Sequence, residues 1–205
     1  MALLGTKGNS SAFGLGLTAA APEVLGGMVL MTPTSVDKTG TGSTATIGTN
    51  GSVEFSSCAT LSLNGVFNTD YDNYMIAIRS VSSADLNLDI RLRVAGIDNS
   101  TASSYVRQEL FASSTSVSGA RVSSDKARFF SASSSQRSGS TGFLYGPFLA
   151  QPTAGRSVQV FGASGAQIPD EAFTHNQSTS YDGFSLICDT SNASGLVSVY
   201  GLVGT

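Results

Sequence analysis

Apolar and polar residues alternate most regularly over residues 85–94. Every second side chain from Leu86 to Val94 is aliphatic, and those between are charged or carry an amide. Because successive side chains of a strand point to opposite faces, this stretch predicts a strand with one buried and one hydrated face. Residues 74–79 have the same period, and the two stretches together predict an antiparallel pair in a half-buried sheet.

Shorter apolar runs separated by turn residues continue this pattern along the chain. They are residues 28–31, 43–47, 52–55, 60–63, 105–111, 120–122, 127–130, 143–149, 157–161, 184–188 and 196–200. Asn50 and Gly51 accept positive φ readily and predict a hairpin between residues 43–47 and 52–55. A second hairpin is predicted across residues 189–195. Nine or ten short strands without a helix predict an all-β, antiparallel β-sandwich with a jelly-roll-like topology.

Two polar stretches predict loops. Residues 131–140 are rich in serine and predict a surface loop, and residues 162–182 predict a long polar connection. Long connections in compact domains are commonly functional. The second stretch contains side chains of types that contact sugars or proteins well and therefore predicts a surface recognition loop. These side chains are Asp170, Glu171, His175, Asn176 and Tyr181.

The first residues differ in character from the rest. Residues 1–27 show neither the helical nor the strand period, which predicts an extended N-terminal attachment arm, and residues 28–205 predict one β-sandwich domain. The arm's large apolar side chains cannot form a core alone, so we expect them to bind another subunit or another protein. They are Leu3, Leu4, Phe13, Leu15 and Leu17. The alternative is an arm that folds back on its own domain.

Composition restricts the partners. Only 12% of the 205 residues are charged and the net charge is −3. Nucleic-acid binding needs clustered Lys and Arg, so we expect no nucleic-acid partner. No apolar run approaches the roughly 20 residues that span a bilayer, so we expect no membrane partner. A surface with so few charges suits a subunit held permanently in an assembly.

The candidate chemistry is sparse. Cys58 and Cys188 lie in apolar, strand-like contexts, which favours buried free thiols, although a disulfide between them stays open. Two Cys and one His at distant positions match no zinc spacing. Residues 85–89 resemble the start of a calcium loop, but Ile90 and Gly96 occupy its sixth and twelfth places. We therefore predict no metal and no cofactor.

No set of residues predicts an enzyme. The chain lacks a Gly-x-Ser-x-Gly turn, and His175 is its one imidazole. Asp170, Glu171 and Asp182 could be read as a glycosidase pair, but carboxylates in a polar stretch are far more often only solvated. We predict a non-enzymatic protein.

Several segments resemble small virion structural proteins of tailed bacteriophages. The resemblance lies in residues 28–34, residues 67–78, the leucine-alternating strand from Leu86, and the closing residues 197–202. These are core and turn positions, and they carry no catalytic residues. The resemblance implies a virus-particle subunit, often a homotrimer, attached by its N-terminus and assembled in the bacterial cytoplasm.

The resemblance leaves more than one position in the particle open. A tail-fibre or baseplate-type protein would be anchored by its arm to other virion proteins and would present its loops to a host-surface glycan or protein. A head decoration or fibre protein would bind the capsid instead. A carbohydrate-binding, lectin-like module is the alternative from a different functional class.

Overall fold

The computed structural model describes residues 27–134, 136–162 and 167–203, and these form sixteen β-strands. The strands are β1 (Met28–Met31), β2 (Ser35–Thr39), β3 (Thr44–Ile47), β4 (Val53–Cys58), β5 (Thr60–Asn64), β6 (Asn73–Ser82), β7 (Leu86–Val94), β8 (Ile97–Asp98), β9 (Tyr105–Ser113), β10 (Ser116–Ser124), β11 (Ala127–Ala132), β12 (Ser138–Tyr145), β13 (Thr153–Val160), β14 (Ile168–His175), β15 (Gly183–Cys188) and β16 (Ala193–Leu202). Over these ranges the chain contains no helix long and apolar enough to cross a bilayer.

The strands form two antiparallel sheets. The ten-stranded sheet has the order β10-β9-β14-β13-β12-β6-β16-β4-β3, and β1 also pairs with β16. The six-stranded sheet has the order β11-β7-β15-β5-β2, and β8 pairs with the end of β7. The prediction of an all-β, antiparallel fold is therefore confirmed.

One hydrophobic core receives side chains from both sheets. The predicted alternation in β7 is confirmed from Leu86 to Leu92, because the leucines and Ile90 are buried at 2% exposure or less, whereas Val94, which was predicted on the same face, is 39% exposed. Tyr74, Ile76 and Ile78 enter the same core from β6. On the opposite side of β7, Arg91 pairs with Asp125 and Arg93 pairs with Asp98. The charged face is thus stabilised by ion pairs, and Arg93, which was predicted on a hydrated face, is itself buried.

The predicted pairing of β6 with β7 is wrong. β6 lies between β12 and β16 in the ten-stranded sheet, whereas β7 lies between β11 and β15 in the other sheet. The chain therefore crosses from one sheet to the other after Ser82. The matching periods of the two strands are real, but they arise because both strands face the same core from opposite sides.

Of the two predicted hairpins, one is confirmed. β3 pairs with β4 around Gly51, whose φ is +88° and which is the only residue of the connection with a positive φ. The hairpin across residues 189–195 is wrong, because β15 and β16 belong to different sheets. Here too the chain crosses between the sheets.

Half of the serine-rich stretch is strand. β11 continues to Ala132 and β12 begins at Ser138, so the predicted surface loop over residues 131–140 is wrong. Ser138 is buried, and its hydroxyl accepts a hydrogen bond from the Ser133 amide at 2.8 Å and donates one to Ser133 Oγ at 2.7 Å. Serines can enter this interior because they satisfy one another.

The two cysteines are free thiols, as favoured from the sequence. They lie close together, since Cys188 Sγ donates a weak hydrogen bond to the Cys58 carbonyl oxygen at 3.3 Å. Burial raises the pKa of the Cys188 thiol to about 11, which keeps it protonated and poorly reactive at neutral pH.

Candidate functional site

The segment predicted as a recognition loop contains strand β14, so the prediction of a loop is wrong. Glu171, His175 and Tyr181 are each 0% exposed and contact the interior. Asp170 and Asn176 lie on the surface side, and Asp170 accepts two hydrogen bonds from Arg156, at 3.1 Å from Nε and 2.7 Å from Nη2. The five residues therefore do not form one exposed cluster.

The loop prediction failed because the inward face of β14 has an unusual composition. In β14 the side chains that point inward are Pro169, Glu171, Phe173 and His175, which mix apolar and polar types. An alternation that places a carboxylate and an imidazole on the buried side resembles a polar loop in the sequence. This face is stable only because side chains from distant parts of the chain pair with Glu171 and His175. The periodicity of the sequence does not predict such pairs.

Glu171 belongs to a four-residue ionic cluster. Arg107 Nη1 contacts Glu109 Oε2 at 2.9 Å and Glu171 Oε2 at 3.2 Å. Arg128, from the other sheet, contacts Glu109 at 3.1 Å. Two cations and two carboxylates thus neutralise one another and join β9 and β14 to β11. We name Arg107, Glu109, Arg128 and Glu171 the ionic cluster.

Within this cluster Glu171 is the incompletely hydrogen-bonded member. Its Oε1 makes no hydrogen bond within the described residues, and Arg128 Nε is 3.7 Å away, which is too far for one. Burial and the neighbouring charge of Glu109 raise the pKa of Glu171 to about 7, against the opposing effect of Arg107 and Arg128. This carboxyl therefore titrates near neutrality, but its side chain lies out of reach of solvent.

His175 lies in a second buried network. Its Nε2 is 2.6 Å from Tyr181 Oη, and its ring stacks on Tyr105 with the centroids 4.1 Å apart. Asn99 Nδ2 donates to Tyr181 Oη at 2.8 Å, and Tyr105 Oη accepts from the Leu92 amide at 2.8 Å. The network links β14 to β7 and to the segment after β8.

The imidazole of His175 is held on one side only. Nε2 shares a hydrogen bond with Tyr181 Oη, and Nδ1 is buried without a hydrogen-bond partner among the described residues. Burial lowers the pKa of His175 to about 4. The imidazole is thus a neutral, buried structural group and is unsuited to act as a base at the surface.

We expect the imidazole of His175 to remain neutral in the folded protein down to pH 5. The imidazole of the unfolded chain would bind a proton near pH 6.5. Because only the unfolded chain binds it between pH 6.5 and pH 4, the free energy of unfolding should fall by up to about 3 kcal/mol over this range. Because the chain has one histidine, its ring C–H signals in NMR spectra report on this site alone. A native-state titration midpoint near 6.5 would contradict the buried network, and the urea-unfolded chain provides the reference titration.

Exposed aliphatic side chains gather on the outer side of the ten-stranded sheet. Five large aliphatic side chains that are half or more exposed lie on the neighbouring strands β10, β9, β14 and β13. They are Val117 (67%), Leu110 (56%), Ile168 (52%), Val158 (50%) and Val160 (58%). We name these five residues the apolar face. Its strand register is continuous, since Val117 and Ile168 both lie opposite Ala112, and Leu110 and Val158 both lie opposite Asp170.

Strand β13 carries the sequence signal that was missed. Its inward side chains include Ser157 and Gln159, and its outward side chains include Val158 and Val160. In most half-buried strands the apolar side chains point inward and the polar ones outward, so β13 has the reverse arrangement. Ser157 Oγ and Gln159 Nε2 both donate to the carbonyl oxygen of Phe129, at a β-bulge where β11 loses its register with β7. With the donors of Ser157 and Gln159 satisfied inside, Val158 and Val160 are left on the surface.

The remaining predicted positions are not brought into a site. Leu3, Leu4, Phe13, Leu15 and Leu17 lie outside the described residues. Over the described ranges, no group of three or more His, Cys, Asp or Glu side chains is arranged to hold a metal ion. Comparison with models of protein families, with curated proteins and with solved structures finds no match to this chain.

Proposed function

We propose that this protein is a non-enzymatic structural subunit of a tailed-phage virion, of the tail-fibre or baseplate type. In this proposal the two sheets form a jelly-roll-like β-sandwich, and residues 1–27 form an arm that anchors the subunit to other virion proteins. The particle is assembled in the bacterial cytoplasm. The observation that carries the proposal is the apolar face, because a soluble monomer rarely exposes five large aliphatic side chains together on four neighbouring strands.

The apolar face suits contact between copies of the chain. At a strand spacing of about 4.8 Å and about 3.4 Å per residue, eight residues on each of the four strands β10, β9, β14 and β13 cover about 500 Å². An interface that continues across the neighbouring strands β12 and β6 covers about 800 Å², which is about the area that one partner contributes to a stable interface. The face carries few charges, and the central Arg156–Asp170 pair is already neutralised within the subunit. A homotrimer that buries this face is the assembly we propose.

We expect the full-length protein to have three times the 21.0 kDa mass of the chain in solution. Val158→Asp combined with Ile168→Asp should yield a 21.0 kDa monomer, because both charges would have to be buried unpaired in the interface. Light scattering coupled to size-exclusion chromatography measures both masses. Far-UV circular dichroism should be unchanged, since both side chains are half exposed in the single subunit.

Ile97→Asp provides a matched control. Ile97 is 71% exposed but belongs to β8, which pairs in the six-stranded sheet and lies away from the apolar face. The control should retain the mass of the wild type. A monomeric wild type, or a double variant that keeps the oligomeric mass, would contradict this use of the apolar face.

A further inference from the structure

A groove runs between the β9–β10 hairpin and the neighbouring strands β7 and β11. It consists of two adjoining depressions of about 300 Å³ and about 180 Å³, and both are lined by Asn87 and Arg128. The larger depression has an apolar base formed in part by Phe111 and Phe161. The volume of the larger one lies at the lower end of the range for small-molecule sites, roughly 300–1,000 Å³.

The groove is independent of the apolar face. Along β9 the side chains of Arg107 and Glu109 point to the groove, whereas that of Leu110 points to the outer side of the sheet. A subunit could therefore use both surfaces at once. The inference below does not rest on the proposed function.

Most of the charged side chains that line the groove are paired within it. Lys126 Nζ pairs with Asp89 at 2.9 Å, and Arg128 pairs with Glu109 at 3.1 Å. The lining also includes Asp85, Asp189 and Arg107, which makes four acidic and three basic side chains. This small excess of negative charge disfavours an anionic ligand. With the other charges paired, a neutral ligand is the class that this arrangement favours.

Hydrogen-bonding capacity remains in the groove after these pairs are formed. Arg128 Nη2 and Asn87 Oδ1 make no hydrogen bond to another side chain or backbone group among the described residues, and one is a donor while the other is an acceptor. Sugar hydroxyls donate and accept at the same time, and the C–H face of a pyranose ring packs on apolar and aromatic side chains. The donor and the acceptor thus lie where both depressions meet, and the aromatic side chains line the larger depression.

We propose that this groove binds a short neutral oligosaccharide. One ring lies in the larger depression against Phe161 and Phe111. Arg128 Nη2 donates to a ring hydroxyl, and Asn87 Oδ1 accepts from another. The adjoining smaller depression, with Ser124 and Lys126 on its wall, receives the next sugar.

The test is an array that carries neutral hexose and N-acetylhexosamine oligosaccharides beside sialylated and sulfated ones, probed with the full-length protein. We expect binding to at least one neutral oligosaccharide, with a Kd at or below about 1 mM when that compound is titrated in solution and followed by NMR. Asn87→Ala and Phe161→Ala should each weaken that binding about tenfold through a lost hydrogen bond and a lost ring contact.

Arg121→Ala is the matched control, because Arg121 belongs to the same hairpin but lines a different depression on the outer side. It should bind the oligosaccharide as the wild type does. Circular dichroism of every variant separates loss of binding from loss of the fold. Three results would each overturn the proposal: no neutral oligosaccharide bound, tighter binding of the acidic ones, or groove variants that bind like the wild type. Because none of these readouts depends on mass, failure here is distinct from failure of the proposed assembly.

Discussion

Replacing Arg107 by leucine should destabilise the protein by about 3–5 kcal/mol at pH 8, because it leaves a buried carboxylate without its closest cation. Arg107 Nη1 is the only donor within hydrogen-bond distance of Glu171 among the described residues, and Glu171 is 0% exposed. Single domains are stable by about 5–15 kcal/mol, so this loss is a large part of the total. Urea unfolding followed by circular dichroism measures it.

The effect should depend on pH. The folded-state pKa of Glu171 is raised to about 7, above its ordinary value of 4.5, so its contribution to stability is greatest below pH 4.5 and declines as the pH rises towards 7. Arg107→Leu should therefore cost less at pH 5, where Glu171 can take up a proton, than at pH 8. Arg107→Leu combined with Glu171→Gln should recover much of the loss at pH 8.

Arg156→Gln serves as the control for this experiment. Arg156 also pairs with a carboxylate of β14, but its side chain is 61% exposed in the single subunit, where water replaces the partner at little cost. Because this pair lies among the residues of the apolar face, Arg107→Leu and Arg156→Gln are both measured in the monomeric Val158→Asp, Ile168→Asp variant. There Arg156→Gln should leave the urea midpoint unchanged at both pH values. If Arg107→Leu and Arg156→Gln changed the urea midpoint by the same amount, the ionic cluster would not have the structural role assigned to it.

Gly195→Ala should destabilise the protein by about 3 kcal/mol, because the added methyl group would overlap backbone that cannot move. Gly195 follows a bulge in β16, and a Cβ there would meet the carbonyl oxygen of Arg79 and lie 3.0 Å from the Cα of Ser80. β6 and β16 form the centre of the ten-stranded sheet, so neither strand can shift alone. Thermal and urea unfolding of the variant would measure the loss.

Gly139→Ala is the natural comparison for this substitution. Gly139 also lies in the ten-stranded sheet, but no atom lies within 4 Å of the position that its Cβ would occupy. The substitution reduces the freedom of the unfolded chain and should leave stability unchanged or raise it by about 0.5 kcal/mol. An equal loss of stability in the two variants would show that replacing any glycine of this sheet is destabilising, and that the close approach of the β6 backbone at Gly195 is not the cause.

Both wrong strand pairings have one physical origin. The connection between β9 and β10 is residues 114–115 and makes a hairpin, whereas residues 83–85 and residues 189–192 carry the chain from one sheet to the other. Neighbouring strands are about 4.8 Å apart and facing sheets about 10 Å apart, so three or four residues reach either destination. Length and composition of such short connections therefore cannot decide between them.

The sequence by itself determined the strand class and the buried side of most strands. Alternation such as that of β7 depends only on the two-residue period of an extended chain, which is a local property. The hairpin at Gly51 is local for the same reason, since a positive φ is a property of a single residue.

Only the tertiary structure decided which polar residues are buried and which aliphatic residues are exposed. Glu171 is buried because Arg107 and Arg128, from the two different sheets, lie beside its carboxylate. His175 is buried because Tyr181 forms a hydrogen bond with its imidazole. Val158 lies outside because its neighbours Ser157 and Gln159 find a carbonyl oxygen within. Such partners are far apart in the chain, and the free energy of burying a polar group depends on whether they are present.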